Sequence, residues 1–586
     1  MAGLLRRYSP LIVLGVIQLV VVLLAPSGPP GQASIQNPGT VPTAVGVQPG
    51  TVAGGATSAG SAQPGATAGQ QSAGGSGTAP GTTTSATGPV RVGNAVVGSG
   101  STAGVVSSCP GTQPAPWAYM PPCLHFNGKN GGATMDGVTS TAINYVWYEG
   151  VAPPALAAVG NSTGLTYTKD QLCEALTAYT KVVNKRWELY GRHLVPLNGP
   201  GSHSGYAQGS NCHFPYYQGD NCSSTDSACW RAQADVIAAM KPKPAFVIGG
   251  VEVTVPFLDE LAKKHILVLG QGSADSFVQP RGPYVWDWQM SIENVASFGS
   301  EYFCKKLVGH PVKYAGSEVL HSGKGLSTPQ RKIAIVYDVG VPDTFSAPAK
   351  AFVQSIEHCG ATGVSEFPFA ADVSTLPQSM QAIAAKIKLG GFTTVYGLMD
   401  PISAIPLSTD LDSEQWHPEF VIAGAGAIDD DLLGQLMNQN EWKYAFGLSL
   451  RKFQAAPQTW DYYKAYKDSG ATDEPMKLAL NMWPYFWMAG DMFQVAGPSP
   501  SIGAIQAGMF NLPLLPGHPE NGAMKFGVPG DSYLGQRDVR EVWWCPTTKS
   551  PKNGQSGSYI SVLGDRRFQH GQIDGTMRVF PNGTCA

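Results

Sequence analysis

Between residues 141 and 449 the chain alternates short apolar runs with helical patterns, and that alternation leaves few folds open. Apolar runs at 142–148, 193–197, 245–248 and 266–269 are separated by helical patterns at about 168–189, 227–240 and 254–264. A second series opens with a helix at about 291–307, whose apolar face carries Val295, Phe298, Tyr302 and Phe303. Strand patterns follow at 333–337, 364–368, 393–397, 419–423 and 444–449, with helices at about 345–358, 376–388, 401–409 and 428–437 between them. Strands joined by helices require parallel sheets covered on both faces. A closed barrel shows the same alternation, but the Pro- and Trp-rich stretch at 280–288 divides the series. The expected fold is therefore α/β, two Rossmann-like lobes with parallel sheets joined by a multi-strand hinge.

In open sheets of this kind ligands bind past the carboxyl ends of the strands. The stretch "KIAIVYDVGVPDTF" (332–345) shows such an end: an apolar run stops at Asp338 and opens into a Gly/Pro loop. A dinucleotide fingerprint needs closely spaced glycines, and a phosphate loop needs a Gly-Lys-Ser/Thr ending. Gly340 stands alone between two valines, so phosphate is not the expected ligand.

The composition changes sharply upstream. Arg6 and Arg7 precede an apolar run from Leu11 to Ala25, too short for a comfortable membrane span of about 20 residues and suited to a signal segment or signal anchor over 1–27. Residues 28–107 hold Gly, Ala, Ser, Thr, Pro and Gln, no aromatic residue, and Arg91 as their only charge. Such a segment cannot offset the entropy of ordering and reads as a disordered linker. The folded module is expected over 108–586. With 38 Lys+Arg against 41 Asp+Glu, a net charge of -3, nothing points to nucleic acid as a partner.

All 10 cysteines lie beyond the linker, and none forms a C-x-x-C pair. An even set behind an export signal reads as disulfides in an oxidising compartment, the cell envelope or the exterior. The pairings expected are Cys109–Cys123, Cys212–Cys222, Cys545–Cys585, Cys304–Cys359 and, by remainder, Cys173–Cys229.

Four stretches, in this order, carry a resemblance. "VIGGVEVTVPFLDELAKKHILVLGQGSADSF" (247–277) resembles the first lobe of type I periplasmic solute-binding proteins of ABC transporters, the leucine/isoleucine/valine- and amide-binding group. "RKIAIVYDVGVPDTFSAPAKAFVQSIEHCGATGVSEFPF" (331–369) resembles the opening of their second lobe, and "SEQWHPEFVIAGAG" (413–426) and "VWWCPTTKS…GSYISVLGDRRF" (542–568) match habits of the same group. The resemblance implies lobe 1 at about 140–290 and 451–530, lobe 2 at about 291–450 and 531–586, and three crossings between them. It implies an extracytoplasmic protein that captures a small polar solute, amide- or amino-acid-like, in an interlobe cleft. Delivery to the membrane permease of an ABC importer would follow, without a cofactor or metal, with membrane attachment only through 1–27. Two departures stand out. The insert at 199–230 is long, and "GAGAI" (424–428) replaces the place where amino-acid binders carry an acid. The following Asp429 and Asp430 read as helix-start caps.

By position at strand ends, the ligand-binding candidates are Trp147, Tyr148, Thr254, Gln271, Gly272 and Ser273 in the first lobe. Asp338, Asp343, Tyr396 and Asp400 are their counterparts in the second. Each has a plainer reading: core aromatics, an ordinary β-turn, helix caps. Trp286 and Trp288 flank the expected hinge, where packing is the plain reading. An enzyme is not expected, since no G-x-S-x-G elbow, H-E-x-x-H or metal-spaced histidine set occurs among the 11 histidines. The alternatives are a ligand-sensing receptor module acting with a separate signalling partner, a secreted hydrolase with a spatially assembled triad, or a structural envelope protein.

Overall fold

The computed structural model describes residues 123–576, apart from 152–160, 162–165, 210–211, 224–225, 250–253, 271–273, 323–329, 341–343, 373–374, 453, 516–521, 529, 531 and 565. It also describes Tyr119 and short strands at 90–92, 95–97 and 105–106. The signal and most of the linker expected from sequence lie outside the described residues. Among the described residues no helix is long and apolar enough to cross a membrane.

The first sheet is built from β1 (Ala142–Glu149), β2 (His193–Pro196), β3 (Ser204–Gly209), β4 (Cys212–Gln218), β5 (Phe246–Gly249), β6 (Leu267–Leu269) and β7 (Val285–Trp286). Its order is β7-β6-β5-β1-β4-β3, with β2 also on β1, and every pairing is parallel except the β3/β4 hairpin. The helices of its crossovers are α1 (Lys169–Arg186), α2 (Ser227–Ala238) and α3 (Val255–Lys263). The long insert is thus not a loop: it supplies β3 and β4 and extends the sheet on one side.

The second sheet follows α4 (Ile292–Lys306). It contains β8 (Ile333–Asp338), β9 (Val364–Phe369), β10 (Thr394–Leu398), β11 (Glu419–Ile422) and β12 (Ala445–Ser449), connected through α5 (Ser346–His358), α6 (Leu376–Leu389) and α7 (Pro401–Ser413). These five strands are parallel in the order β9-β8-β10-β11-β12. The expected helix at 428–437 is shortened to a single turn at Asp431–Gly434, because Gly424, Gly426 and Ala427 take left-handed φ values of 77°, 61° and 70° and Asp429 is tied elsewhere. After β12 the chain forms α8 (Asp461–Asp468), α9 (Ala479–Ala496) and α10 (Ile502–Asn511). It then closes the second sheet with the antiparallel β13 (Asp538–Lys549), β14 (Ser556–Ser561) and β15 (Arg567–Gln569).

Helix α9 packs on the first sheet: Phe486 stacks 6.2 Å from Trp147, and Trp483 lies 5.1 Å from Tyr179 of α1. Helix α4 packs on the second, with Phe303 edge-on to Phe352 of α5. The chain therefore passes between the two bodies three times, at about 287–291, 450–460 and 522–537. Two of these crossings run side by side: Asp287 N–H donates to the Tyr533 carbonyl, and Gln536 N–H to that of Trp288, both at 3.1 Å.

Cysteine pairing follows the hairpin. Cys304–Cys359 joins α4 to the end of α5 as expected. The expected Cys212–Cys222 and Cys173–Cys229 bonds are replaced by Cys173–Cys212 and Cys222–Cys229. The physical reason is that Cys212 opens β4 beside α1, whereas Cys222 lies past the far end of that strand, next to the first turn of α2. Cys123 and Cys545 are also disulfide-bonded; Cys109 and Cys585 lie outside the described residues.

Candidate functional site

Between the two bodies, beside the crossings, lies a cavity of about 280 Å³. That is at the small end of the roughly 300–1,000 Å³ usual for small-molecule sites. Its first wall is aromatic. Trp483, Pro484 and Trp487 come from α9, Trp460 and Tyr462 from the start of α8, and Trp288 from the first crossing. Phe345, Ile292 and Val295 add apolar surface from the second body. Helix α9 is anchored by its own rings: Trp483 packs against Tyr179 and Trp187, and Phe493, farther along the helix, against Phe246. Pro484 lacks an N–H to offer the Leu480 carbonyl, and both residues line the cavity.

The opposite wall is polar and belongs to the second sheet. The loop Gly424–Ala427, past β11, meets Leu450, Arg451 and Lys452, past β12. Gly424 is required twice over: its φ is left-handed, and a Cβ would stand 2.9 Å from the Leu448 carbonyl oxygen. Asp429 binds this edge together. Its Oδ2 accepts from Ser449 Oγ at 2.7 Å and from the backbone N–H groups of Leu450 and Arg451 at 2.8 and 3.0 Å. It is not a helix cap; Asp430 is, accepting from Leu432 N–H at 3.0 Å. Burial raises the Asp430 pKa, but the charges of Lys552 and Arg451 outweigh it and hold the carboxyl below its usual range.

Arg451 is one of two cations this scaffold holds among the described residues of the cavity wall, with Lys452 beside it. Its guanidinium stands 3.6 Å from Asp429 and 3.7 Å from Asp430, within charge-pairing reach but beyond hydrogen bonding. Lys452 is nine-tenths buried and lies over the Trp460 ring at 5.3 Å. Asp461 lies on the same rim with Lys464 at 3.9 Å. Trp288 contributes a donor: its Nε1 is buried and has no hydrogen-bond partner among the described residues. A buried N–H costs free energy unless something accepts from it. The arrangement can take a flat apolar body between rings and an acceptor or anionic end near Trp288 and Arg451.

The strand-end candidates lie elsewhere. Trp147 is buried at the end of β1, stacked on Phe486 and donating to Glu149 at 2.7 Å. Tyr148 donates to Gln233 at 2.7 Å within a cluster of Tyr217 and Phe257. Thr254 sits at the start of α3 with its hydroxyl buried. Asp338 accepts from Gly340 and Ala371 N–H groups, shaping its own loop. Tyr396 stacks on Phe352 at 4.3 Å and presses its hydroxyl against Gly299, and Asp400 caps α7 through Ser403. None of these six lines the cavity: Trp147, Tyr148 and Tyr396 are turned into cores, Asp338 and Asp400 are held by backbone N–H groups, and Thr254 starts α3 away from it. Gln271, Gly272, Ser273 and Asp343 lie outside the described residues. Trp288, by contrast, is a wall of the cavity, while Trp286 packs in a cluster with Phe510, Phe526 and Tyr533. Among the described residues no group of His, Cys, Asp and Glu is arranged to hold a metal ion.

No family model and no curated protein matches the chain. Among solved structures it is similar to an ABC-transporter solute-binding protein from R. palustris in complex with 4-hydroxybenzoate. That pair has a TM-score of 0.49 and 11% identity, over 73% of this chain and 97% of that one. It is similar as well to an ABC-transporter substrate-binding protein from Aeropyrum pernix, with a TM-score of 0.48 and 12% identity over 74% and 98% of the two chains. A leucine-binding protein from Thermotoga maritima gives 0.46 and 13% over 72% and 98%. The first two are thus solute- or substrate-binding proteins of ABC transporters, and the third is a leucine-binding protein.

Proposed function

We propose that the protein is an extracytoplasmic solute-binding protein that captures a small aromatic acid, or a comparably flat anion, in this cavity and delivers it to an ABC importer. The observation that carries the proposal is the division of the cavity: indoles and a phenol on one wall, Arg451 held by Asp429 on the other. Rings stack favourably on indoles and phenols, and a guanidinium matches a carboxylate bidentately. This reading departs from the polar, amide- or amino-acid-like solute expected from sequence. The chain carries no acid in the Gly424–Ile428 turn itself, and the nearest one, Asp429, is already committed to three donors.

Three crossings between the bodies suit a hinge closing over a solute, since neither core needs to repack. Closure would bring the cation wall toward a ring already stacked on α9, and the solute would favour the closed state by those added contacts. The test is native mass spectrometry of the protein purified from its own host, with identification of the released molecule. One equivalent of a small aromatic acid is the expected result. An amino acid, an amide or a sugar in the cleft, or an empty cleft that also ignores added benzoate, would overturn the reading.

A further inference from the structure

Among the described residues, every one that lines the cavity except Tyr119 comes from residue 288 onward. Tyr119 precedes the first sheet, on the segment that follows the low-complexity linker. Its ring stacks on Trp487 with centroids 4.9 Å apart and planes inclined by 25°. Its hydroxyl donates to the Gly522 carbonyl at 2.6 Å, 403 residues away in sequence. Burial pushes the phenol pKa well above its ordinary value, so the group stays a neutral donor. Both anchors are fixed. Trp487 stands on a helix buried on nearly every side, and Gly522 is so closely covered that an added Cβ would lie 2.8 Å from Gln536 Nε2, itself a cavity residue. A side chain held by two fixed points at the edge of a small cavity sets its length.

We propose that Tyr119 is a specificity-determining residue: the segment ahead of the first sheet supplies, in cis, the wall that limits the solute to a single ring. The inference rests on the reading of the cleft as an aromatic-acid site. Truncating the phenol should open space rather than let the wall collapse, because Trp487 is held by its own helix. The uncovered indole face would then accept a second fused ring.

The experiment is calorimetric titration of the full chain, as wild type, Tyr119→Phe, Tyr119→Leu and Tyr119→Ala, with benzoate and with 2-naphthoate. The wild type and Tyr119→Phe should prefer benzoate. Tyr119→Ala should shift the affinity ratio toward 2-naphthoate by tenfold or more, with a melting midpoint within a few degrees of wild type. Should Tyr119→Ala fail to fold, Tyr119→Leu, which keeps apolar bulk without the planar ring, carries the same comparison with a shift of about threefold to tenfold. A wild-type protein that binds benzoate and an alanine variant that keeps the wild-type ratio within twofold, or still rejects 2-naphthoate, would overturn the role of Tyr119 alone. Failure of every form to bind either probe would overturn the reading of the cleft, and this inference with it.

Discussion

The two bodies handle buried polarity in opposite ways. The second is laced with buried ion pairs: Lys306–Glu541 with both side chains fully buried, Arg331–Glu419, Lys552–Asp430 and Arg567–Asp538. In the first body the pairs lie nearer the surface, as in Lys263–Asp259, Lys264–Asp235 and Lys185–Asp468. Its interior is filled by stacked rings instead, and its buried Arg192 donates to the carbonyls of Thr139, Gly132 and Pro498 rather than to an acid. Where the bodies meet, each brings its own chemistry: the first a ring-bearing wall, the second a cation held by aspartates. A cleft with two unlike walls results, and it fits a solute with two unlike ends.

Breaking the comparison at its strongest point should have the largest effect. Lys306→Met leaves Glu541 buried without its cation and should cost about 3–5 kcal/mol. Lys263→Met, in an exposed pair of the first body, should cost less than about 1 kcal/mol. Urea unfolding of both variants checks this, and Lys306→Met/Glu541→Leu should recover much of the loss, since replacing a whole buried pair by apolar groups is often neutral. Equal costs for the two lysines would erase the distinction between the bodies.

A subtler effect is expected at Asp491 in α9. Burial pushes its carboxyl well above the usual range, and only the Trp187 N–H, donating at 2.7 Å, favours the charged form. A raised folded pKa means stability present below the ordinary carboxylate range and lost as pH rises toward the folded value. Asp491→Asn keeps an acceptor for Trp187 and removes that loss. Its melting midpoint should therefore exceed that of wild type more at pH 8 than at pH 4, and a gain that does not grow with pH would contradict the account. The smallest effect belongs to Glu174 on the surface of α1, raised to about 7 by partial burial and by Asp473. Its contribution, present below pH 4.5, is lost as pH rises through about 7. Glu174→Gln should flatten the wild-type dependence of the midpoint in that window by a degree or so.

The sheets were legible because strands buried on both faces must be apolar throughout: 333–337 and 393–397 fall on β8 and β10 within a residue or two. The β3/β4 hairpin was not, since "SGYAQG" and "CHFPYYQ" carry turn-like Gly, Pro and Gln at an edge where packing asks little. Helix α9 is apolar on almost every face, so it has no amphipathic period to read. At the site, the Gly424–Ile428 turn and Trp288 could be singled out from sequence. Asp429 could not be assigned, because an acid at a helix start looks like a cap and its real partners lie 20 to 22 residues on. Tyr119 gave no signal at all: its partners are 368 and 403 residues away. Position past a strand end marks the right edge of a sheet, but not which side chains turn into the cleft.

The central claim is that the cation wall reads the charge of a solute whose ring the aromatic wall holds. Calorimetry of wild type and Arg451→Gln with benzoate and with benzyl alcohol, its uncharged counterpart, tests it most directly. A hydrogen bond to a charged group contributes about 1.5–3 kcal/mol, roughly 10- to 100-fold in affinity. Wild type should prefer benzoate by that factor, and Arg451→Gln should bind both probes alike, near the wild-type affinity for benzyl alcohol. A preference for benzoate that survives in Arg451→Gln, or a wild type that does not distinguish the two probes, would contradict the account.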